Sequence, residues 1–250
     1  MRKALRRPGG RAGAALAPAW ALALALLALG SLSGCGGSSD NGLGGKSGSE
    51  VLAAAKQAAA QAESVHVLAN SSIEGTSSVV DLHLSTQGGW GKVSLLGSVF
   101  EVVYLNGEIY LKGNQLFYHR LEAIRGISIK LLPGTWLKGS AEKGPLAQFT
   151  AFVDLPGELT RILSSSGSLS APTATSFQGK RALAVEEAAK LYKGTLYVSA
   201  TGKPYPLALV KTKGKGKHER EGGRTSFSQW DRPVRIAAPS PWVDVAALKG

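Results

Sequence analysis

The chain has a single cysteine among 250 residues. One thiol cannot close an internal disulfide or build a cysteine-based zinc cluster. Acidic residues are scarce, 17 against 29 Lys and Arg, for a formal net charge of +12. Charged residues are few overall, 18%, while 44% are hydrophobic, which is not the composition of a disordered chain. After the first thirty residues no long apolar run recurs, so the rest of the chain has no second membrane span. Catalytic signatures are missing too. The nearest approach to a nucleophile elbow, Gly30 to Gly34, has Leu32 where the serine belongs. Gly45-Lys46-Ser47 ends like a phosphate loop, but Asp40 stands at the leading glycine position and no strand precedes it. His66, His83, His119 and His218 have no second ligand at helical spacing, and the acids, Glu186-Glu187 among them, form no arguable dyad. The reading is therefore of a protein that is not an enzyme and holds no metal or other cofactor.

What is present begins at the N-terminus. Arg2, Lys3, Arg6, Arg7 and Arg11 carry no acid among them, and an Ala/Leu-rich run follows from about Ala14 to Leu29. A positive start, a short apolar centre and then small residues is the layout of a secretory signal. Leu32-Ser33-Gly34-Cys35 stands directly after it. These four residues resemble the lipobox of bacterial lipoproteins, which implies cleavage before Cys35 and acylation of its thiol. Residues 1–34 are thus a lipoprotein signal peptide, and their loss leaves 216 residues and a net charge of +7. More than one acyl chain gives stable anchoring at about 0.8 kcal/mol per buried methylene. The expected location is the outer face of the bacterial cytoplasmic membrane. The alternative is an uncleaved anchor or an ordinary signal, with Cys35 a bystander. Residues 35–48, rich in Gly and Ser, read as a tether of about 20 Å reach, and 49–250 as one domain.

Ser47 and Glu50 predict a capping box for a helix to about Ala62, with Val51, Leu52, Ala55, Ala58, Ala59 and Ala62 on one face. From Val65 the pattern changes to strands. Val79 to Ser85 alternates, with Val80, Leu82 and Leu84 on one face and Asp81 and His83 on the other. That pair could be half a metal site, or simply part of a solvated face. Gly97-Ser98 predicts a type II′ hairpin loop, and Asn106-Gly107 is a strong hairpin signal. Asn114 to Ile124, Pro145 to Phe152 and Asp154 to Leu163 read as short helices, the last with Leu159, Ile162 and Leu163 apolar. Ser164 to Ser170 reads as a loop. A second strand-rich region runs from Thr173 to Gln229, with turns at Gly179-Lys180 and Thr201 to Pro204. About ten antiparallel strands and a few helices make an α+β layout, and a twisted sheet of that size curls.

The ordered set of segments resembles the LppX/LprAFG-like lipoproteins of the LolA-like superfamily. It comprises the lipobox, the alanine-rich helix, Ser64-Val65-His66-Val67, Asn106 to Asn114 (NGEIYLKGN), Gly134-Thr135-Trp136-Leu137-Lys138, Leu196-Tyr197-Val198, Gly202 to Leu207 (GKPYPL) and Phe227 to Val234 (FSQWDRPV). It spans nearly all of the mature chain. The resemblance implies a curved antiparallel half-barrel wrapped around helices, with an apolar cavity between sheet and helices that takes acyl chains. The ligand would be a lipid or lipoglycan, bound or transferred; the alternative is an envelope sensor of the same fold with a protein partner and no lipid cargo. No motif of the family fixes pocket residues. The inward strand positions Val67, Leu82, Leu84, Val93, Leu95, Ile109, Leu111, Leu196, Val198, Leu207 and Leu209 are the candidates for the lining, unless they simply pack against the helices.

One charge run stands out. Lys211, Lys213, Lys215, Lys217, Arg220 and Arg224, against Glu219 and Glu221, give +4. Contact with anionic headgroups, at about 1 kcal/mol per near-surface cation, competes with a solvated hairpin whose charge blocks edge pairing. Nucleic acid is disfavoured: an exported protein does not meet it, and no aromatic stacking platform accompanies the lysines.

Overall fold

Ser47 starts the first helix as the capping box requires. Its hydroxyl accepts from the Glu50 amide at 3.3 Å, and Glu50 Oε2 accepts from the Ser47 amide at 2.8 Å. The helix, α1 (Gly48–Ala60), buries Val51, Leu52, Ala55, Ala58 and Ala59. Methyl side chains along that face let it lie close against its neighbours. A computed structural model describes residues 40–73, 75–125, 134–190, 192–212 and 222–248, and the fold is that of this part of the chain. The lipobox Leu32-Ser33-Gly34-Cys35 and Lys213, Lys215 and Lys217 lie outside the described residues. Residues 40–47, read as tether from their composition, lie on the folded unit. The Asn41 amide donates to the Ala200 carbonyl (3.1 Å), Asn41 Nδ2 to the Ser199 carbonyl (2.8 Å), and Arg181 pairs with Asp40 at 3.1 Å.

The first meander is β1 (Ser64–Ile73), β2 (Thr76–Ser85), β3 (Gly88–Leu95), β4 (Ser98–Leu105) and β5 (Glu108–Gly113), each antiparallel to the next. After α2 (Gln115–Arg125), β6 (Trp136–Ser140) extends it beside β5. Next come a 3₁₀ turn over Ala147–Phe152 and α3 (Leu155–Ile162), then β7 (Ser168–Leu169), β8 (Thr173–Phe177), β9 (Lys180–Ala188), β10 (Lys193–Ser199), β11 (Pro206–Thr212), β12 (Gly223–Ser228) and β13 (Trp242–Asp244). The strands form one sheet in the order β13-β6-β5-β4-β3-β2-β1-β12-β11-β10-β9-β7, with β8 also on β9. β12 joins the two meanders by pairing with β1. Only β13 and β6 run parallel among the described strands. The fold class is the α+β, mostly antiparallel sheet with few helices that the sequence implies.

Two hairpin turns sit one residue earlier than expected. Leu96-Gly97 (φ 50° and 77°) and Gln178-Gly179 (φ 50° and 76°) are the central pairs, both with left-handed backbone, so the turns are of type I′. Burial decides this. Val93 and Phe100 face each other across β3 and β4, both buried, and a one-residue slip would send every side chain of the hairpin to the other face. Asn106-Gly107 (φ 53° and 77°) falls where its sequence puts it. Ser168–Leu169 forms a short strand where a loop was expected, and Trp242–Asp244 pairs with a strand a hundred residues earlier.

The core lies between the inner face of the sheet and the three helices. Phe117, Tyr118 and Leu121 of α2 and Leu155, Leu159 and Ile162 of α3 meet the inward strand residues there. Asn114 caps α2: its Oδ1 accepts from the Phe117 amide (2.9 Å) and from the Val99 amide (3.2 Å), tying helix to hairpin.

Candidate ligand cleft

α3 forms over Leu155–Ile162 because Asp154 can cap it, its Oδ2 accepting from the Gly157 amide at 3.2 Å, and because Pro156 suits the first turn. Its apolar stripe faces the sheet, but it does not seal it. Between α3, the preceding 3₁₀ turn and β1, β2, β3, β11 and β12 runs a cleft of about 720 Å³. Its apolar walls are Ala69, Val80, Leu95, Ala151, Phe152, Ile162 and Leu209. Asn70, Ser71, Thr225, Asp154, Glu158, Arg161, Lys211 and Arg224 border it with polar groups. The volume falls within the ~300–1,000 Å³ usual for small-molecule sites.

The charged border is mixed rather than cationic. Glu158 is buried and held by Arg161 from one helical turn on, with Arg161 Nε donating to Oε2 at 2.9 Å. Hydrogen bonding to Glu158 raises the Arg161 pKa further, although burial opposes it. Lys211 Nζ lies 4.4 Å from the centre of the Tyr192 ring, and the Arg224 guanidinium 4.8 Å from that of Phe177. The Tyr192 face thus positions Lys211 beside the cleft, whereas Arg224, opposite Val210 in the β11–β12 register, turns to Phe177 on the outer side of the sheet.

On the other side of Ile162 and Leu209 the same layer closes. α1, α3 and β9–β11 leave only about 20 Å³ there, between Leu52, Leu163, Leu169, Val185, Leu196 and Glu187. That is room for about one water. Ile162 and Leu209 line both spaces and form the wall between them.

The eleven lining candidates separate on this geometry. Leu95 and Leu209 line the cleft, and Leu196 and Leu209 line the small void. Val67, Leu82, Leu84, Val93, Ile109, Leu111 and Val198 are fully buried in the core. Leu207 lines a different depression, with Tyr205 and Trp230, because the β10–β11 register shifts between Tyr197 and Val198. Of the four lysine candidates, Lys211 borders the cleft. Phe152, Ile162 and the Glu158–Arg161 pair were missed. The apolar stripe of α3 was visible, but its role as a wall depends on where α3 docks. On the opposite face of the sheet, Asp81 and His83 are joined by His66 from β1. Burial, and next the neighbouring His66, lowers the His83 pKa, while Asp81 opposes this.

No family model matches the chain, and no curated protein matches it. Among solved structures, MucB in complex with MucA(peri) aligns with 76% of this chain and 57% of its own, at 14% identity and a TM-score of 0.37, too loose to carry an argument. The crystal structure of LprF from Mycobacterium bovis aligns with 77% of this chain and 96% of its own, at 16% identity and a TM-score of 0.51. At that identity the likeness concerns architecture, and on it the chain has the fold of LprF, the fold that its LppX/LprAFG-like, LolA-like sequence pattern implies.

Proposed function

We propose that this protein is an envelope lipoprotein, held to the outer face of a bacterial cytoplasmic membrane through lipid on Cys35, that takes the acyl portion of an amphiphile into the cleft beside α3. The observation that carries the reading is the cleft itself, about 720 Å³ of space with walls of Ala69, Val80, Leu95, Phe152, Ile162 and Leu209, beside a neighbouring void of only about 20 Å³. Each methylene buried there gains about 0.8 kcal/mol, so eight would gain roughly 6 kcal/mol before the costs of association. No covalent chemistry is needed. Lys211 at the border, continuing into the basic β11–β12 connection, supports a polar or anionic headgroup left outside. This reading assigns the hold on the bilayer to lipid on Cys35, which stands directly after the apolar run from about Ala14 to Leu29.

The test is native mass spectrometry of a chain beginning at Ser38, ahead of the Asp40 and Asn41 contacts, after export in a bacterial host. Stoichiometric co-purified lipid is expected, and Ala69→Trp, which fills the cleft from β1, should empty it. A lipid-free wild-type mass would sink the acyl-binding reading. For the anchor, Cys35→Ala should release the full protein from membranes; retention would sink that half.

A further inference from the structure

On the outer face of the sheet three metal-ligating side chains converge. His66 on β1 and His83 on β2 are direct cross-strand partners. Asp81 stands two residues before His83, so the pleat sends it to the same side, diagonal to His66. One ligand atom from each lies within 4.8 Å of the other two. His66 Nε2 is 2.8 Å from Asp81 Oδ1, and His83 Nε2 is 3.9 Å from the same oxygen. The two imidazoles are each about one-fifth exposed, which shields the spot without closing it. On the far side of His66, Nδ1 lies 3.1 Å from Ser228 Oγ on β12.

We propose that His66, Asp81 and His83 form a binding site for a zinc-type divalent cation on the outer face of the sheet. Two imidazole nitrogens and one carboxylate are a three-ligand set that leaves a fourth, open position for water. Imidazole selects late first-row ions over calcium and magnesium, which take oxygen ligands. Ser228 supplies the outer support that such a histidine needs. With Nε2 bonded to Asp81, Nε2 carries the proton and Ser228 donates to Nδ1. With Nε2 on the ion, Nδ1 carries the proton and donates a hydrogen bond to the same hydroxyl. A hydroxyl can do either, so Ser228 can stay bonded to His66 with or without the ion.

Metal entry has a structural consequence. The His66 and His83 rings are stacked, with centroids 4.2 Å apart and planes 7° from parallel, and His83 is stacked in turn on Trp90 at 4.1 Å and 16°. Two parallel rings cannot both aim a lone pair in plane at one ion. They must turn toward each other at the Nε2 edge, which changes the contact of His83 with the Trp90 indole. Trp90 is therefore a built-in reporter.

The test uses the full chain in detergent with Cys35→Ala, so that no thiolate competes. Zn²⁺ is followed by calorimetry and Co²⁺ by its visible absorption. One ion per chain is expected, with a change in tryptophan emission that Trp90→Phe abolishes. His66→Gln, His83→Gln and Asp81→Asn should each weaken binding by about a hundredfold, and Ser228→Ala by about tenfold. Far-UV circular dichroism confirms that each variant is folded, and the Asp81→Asn result stands if a histidine variant is not. Absence of saturable Zn²⁺ binding to the Cys35→Ala protein overturns the proposal. So does binding that Asp81→Asn and the histidine variants leave unchanged, which would place the ion elsewhere.

Discussion

The space between α3 and the sheet differs on the two sides of one pair of residues. Beyond Ile162 and Leu209 toward β1–β3 it opens to about 720 Å³; toward β9 and β10 it closes to about 20 Å³. The inward positions differ: β1 and β12 offer the small or polar Ala69, Ser71 and Thr225 to the open side, whereas β9 and β10 offer Val185 and Leu196 to the closed one. The covering side chains add to the difference. The closed side is filled by α1, whose Val51, Leu52 and Ala55 press onto the sheet. Among the described residues the open side is covered by Ala151, Phe152 and the polar edge of α3, where Glu158 and Arg161 pair with each other.

The largest expected contrast is between two leucines of the inner face. Leu82 is fully buried, whereas Leu95 is half-buried against the cleft. Leu82→Ala should cost about 2–5 kcal/mol, because a packed site cannot collapse around the missing atoms. Leu95→Ala should cost about 1 kcal/mol or less, since its neighbour is already open space. Urea unfolding of both variants measures the difference. Equal costs would mean that the cleft side is packed as tightly as the core.

A middle-sized effect belongs to the closed side, where Glu187 lines the small void. Its Oε1 accepts from the amides of Ser166 (2.8 Å) and Gly167 (3.0 Å) and from the hydroxyls of Ser165 (2.9 Å) and Tyr192 (3.0 Å). Burial alone would raise its pKa; those four donors outweigh burial and hold it below the ordinary carboxylate value. Glu187→Ala should cost about 1–3 kcal/mol by stranding donors that have little water to replace it. The sign with pH follows. A depressed folded pKa contributes stability that is complete above the unfolded value, near 4.3, and is lost as pH falls through the folded one. Wild type should therefore lose its advantage over Glu187→Gln below about pH 4; an advantage that persists in acid would show that the charge is not what the donors hold.

How much of this could be read beforehand depended on range. The capping box at Ser47 and Glu50 and the Asn106-Gly107 turn are settled within a few residues of chain, and both stand where the sequence puts them. Strand faces were legible too: Leu82 and Leu84 point inward, and Asp81 and His83 outward, because the pleat alternates regardless of partner. What needed a partner was not legible. His66 meets His83 only through the β1–β2 register, and Ser228 reaches His66 only because β12 returns to β1. Leu207 left the inner set through a bulge that no local pattern announces. Residues 40–47 looked like linker because their composition is Gly-rich, yet Asn41 bonds to Ser199 and Ala200, 158 residues or more away.

The smallest effect tests the open side alone. Asp154 borders the cleft and holds the first turn of α3 through its bond to the Gly157 amide. Asp154→Ala should cost about 1 kcal/mol, the usual loss for an N-cap. That loss should be local, because an eight-residue helix depends on its cap and its packing rather than on its own propensity. Amide exchange should therefore quicken at Gly157 and Glu158 while Ser166 and Gly167, tied to Glu187 at the other end, keep their protection. If both ends loosen together, α3 moves as one rigid lid and the two sides of the Ile162–Leu209 wall are not independent. If only the first turn loosens, the wall of the cleft can yield to a ligand without disturbing the packing behind it.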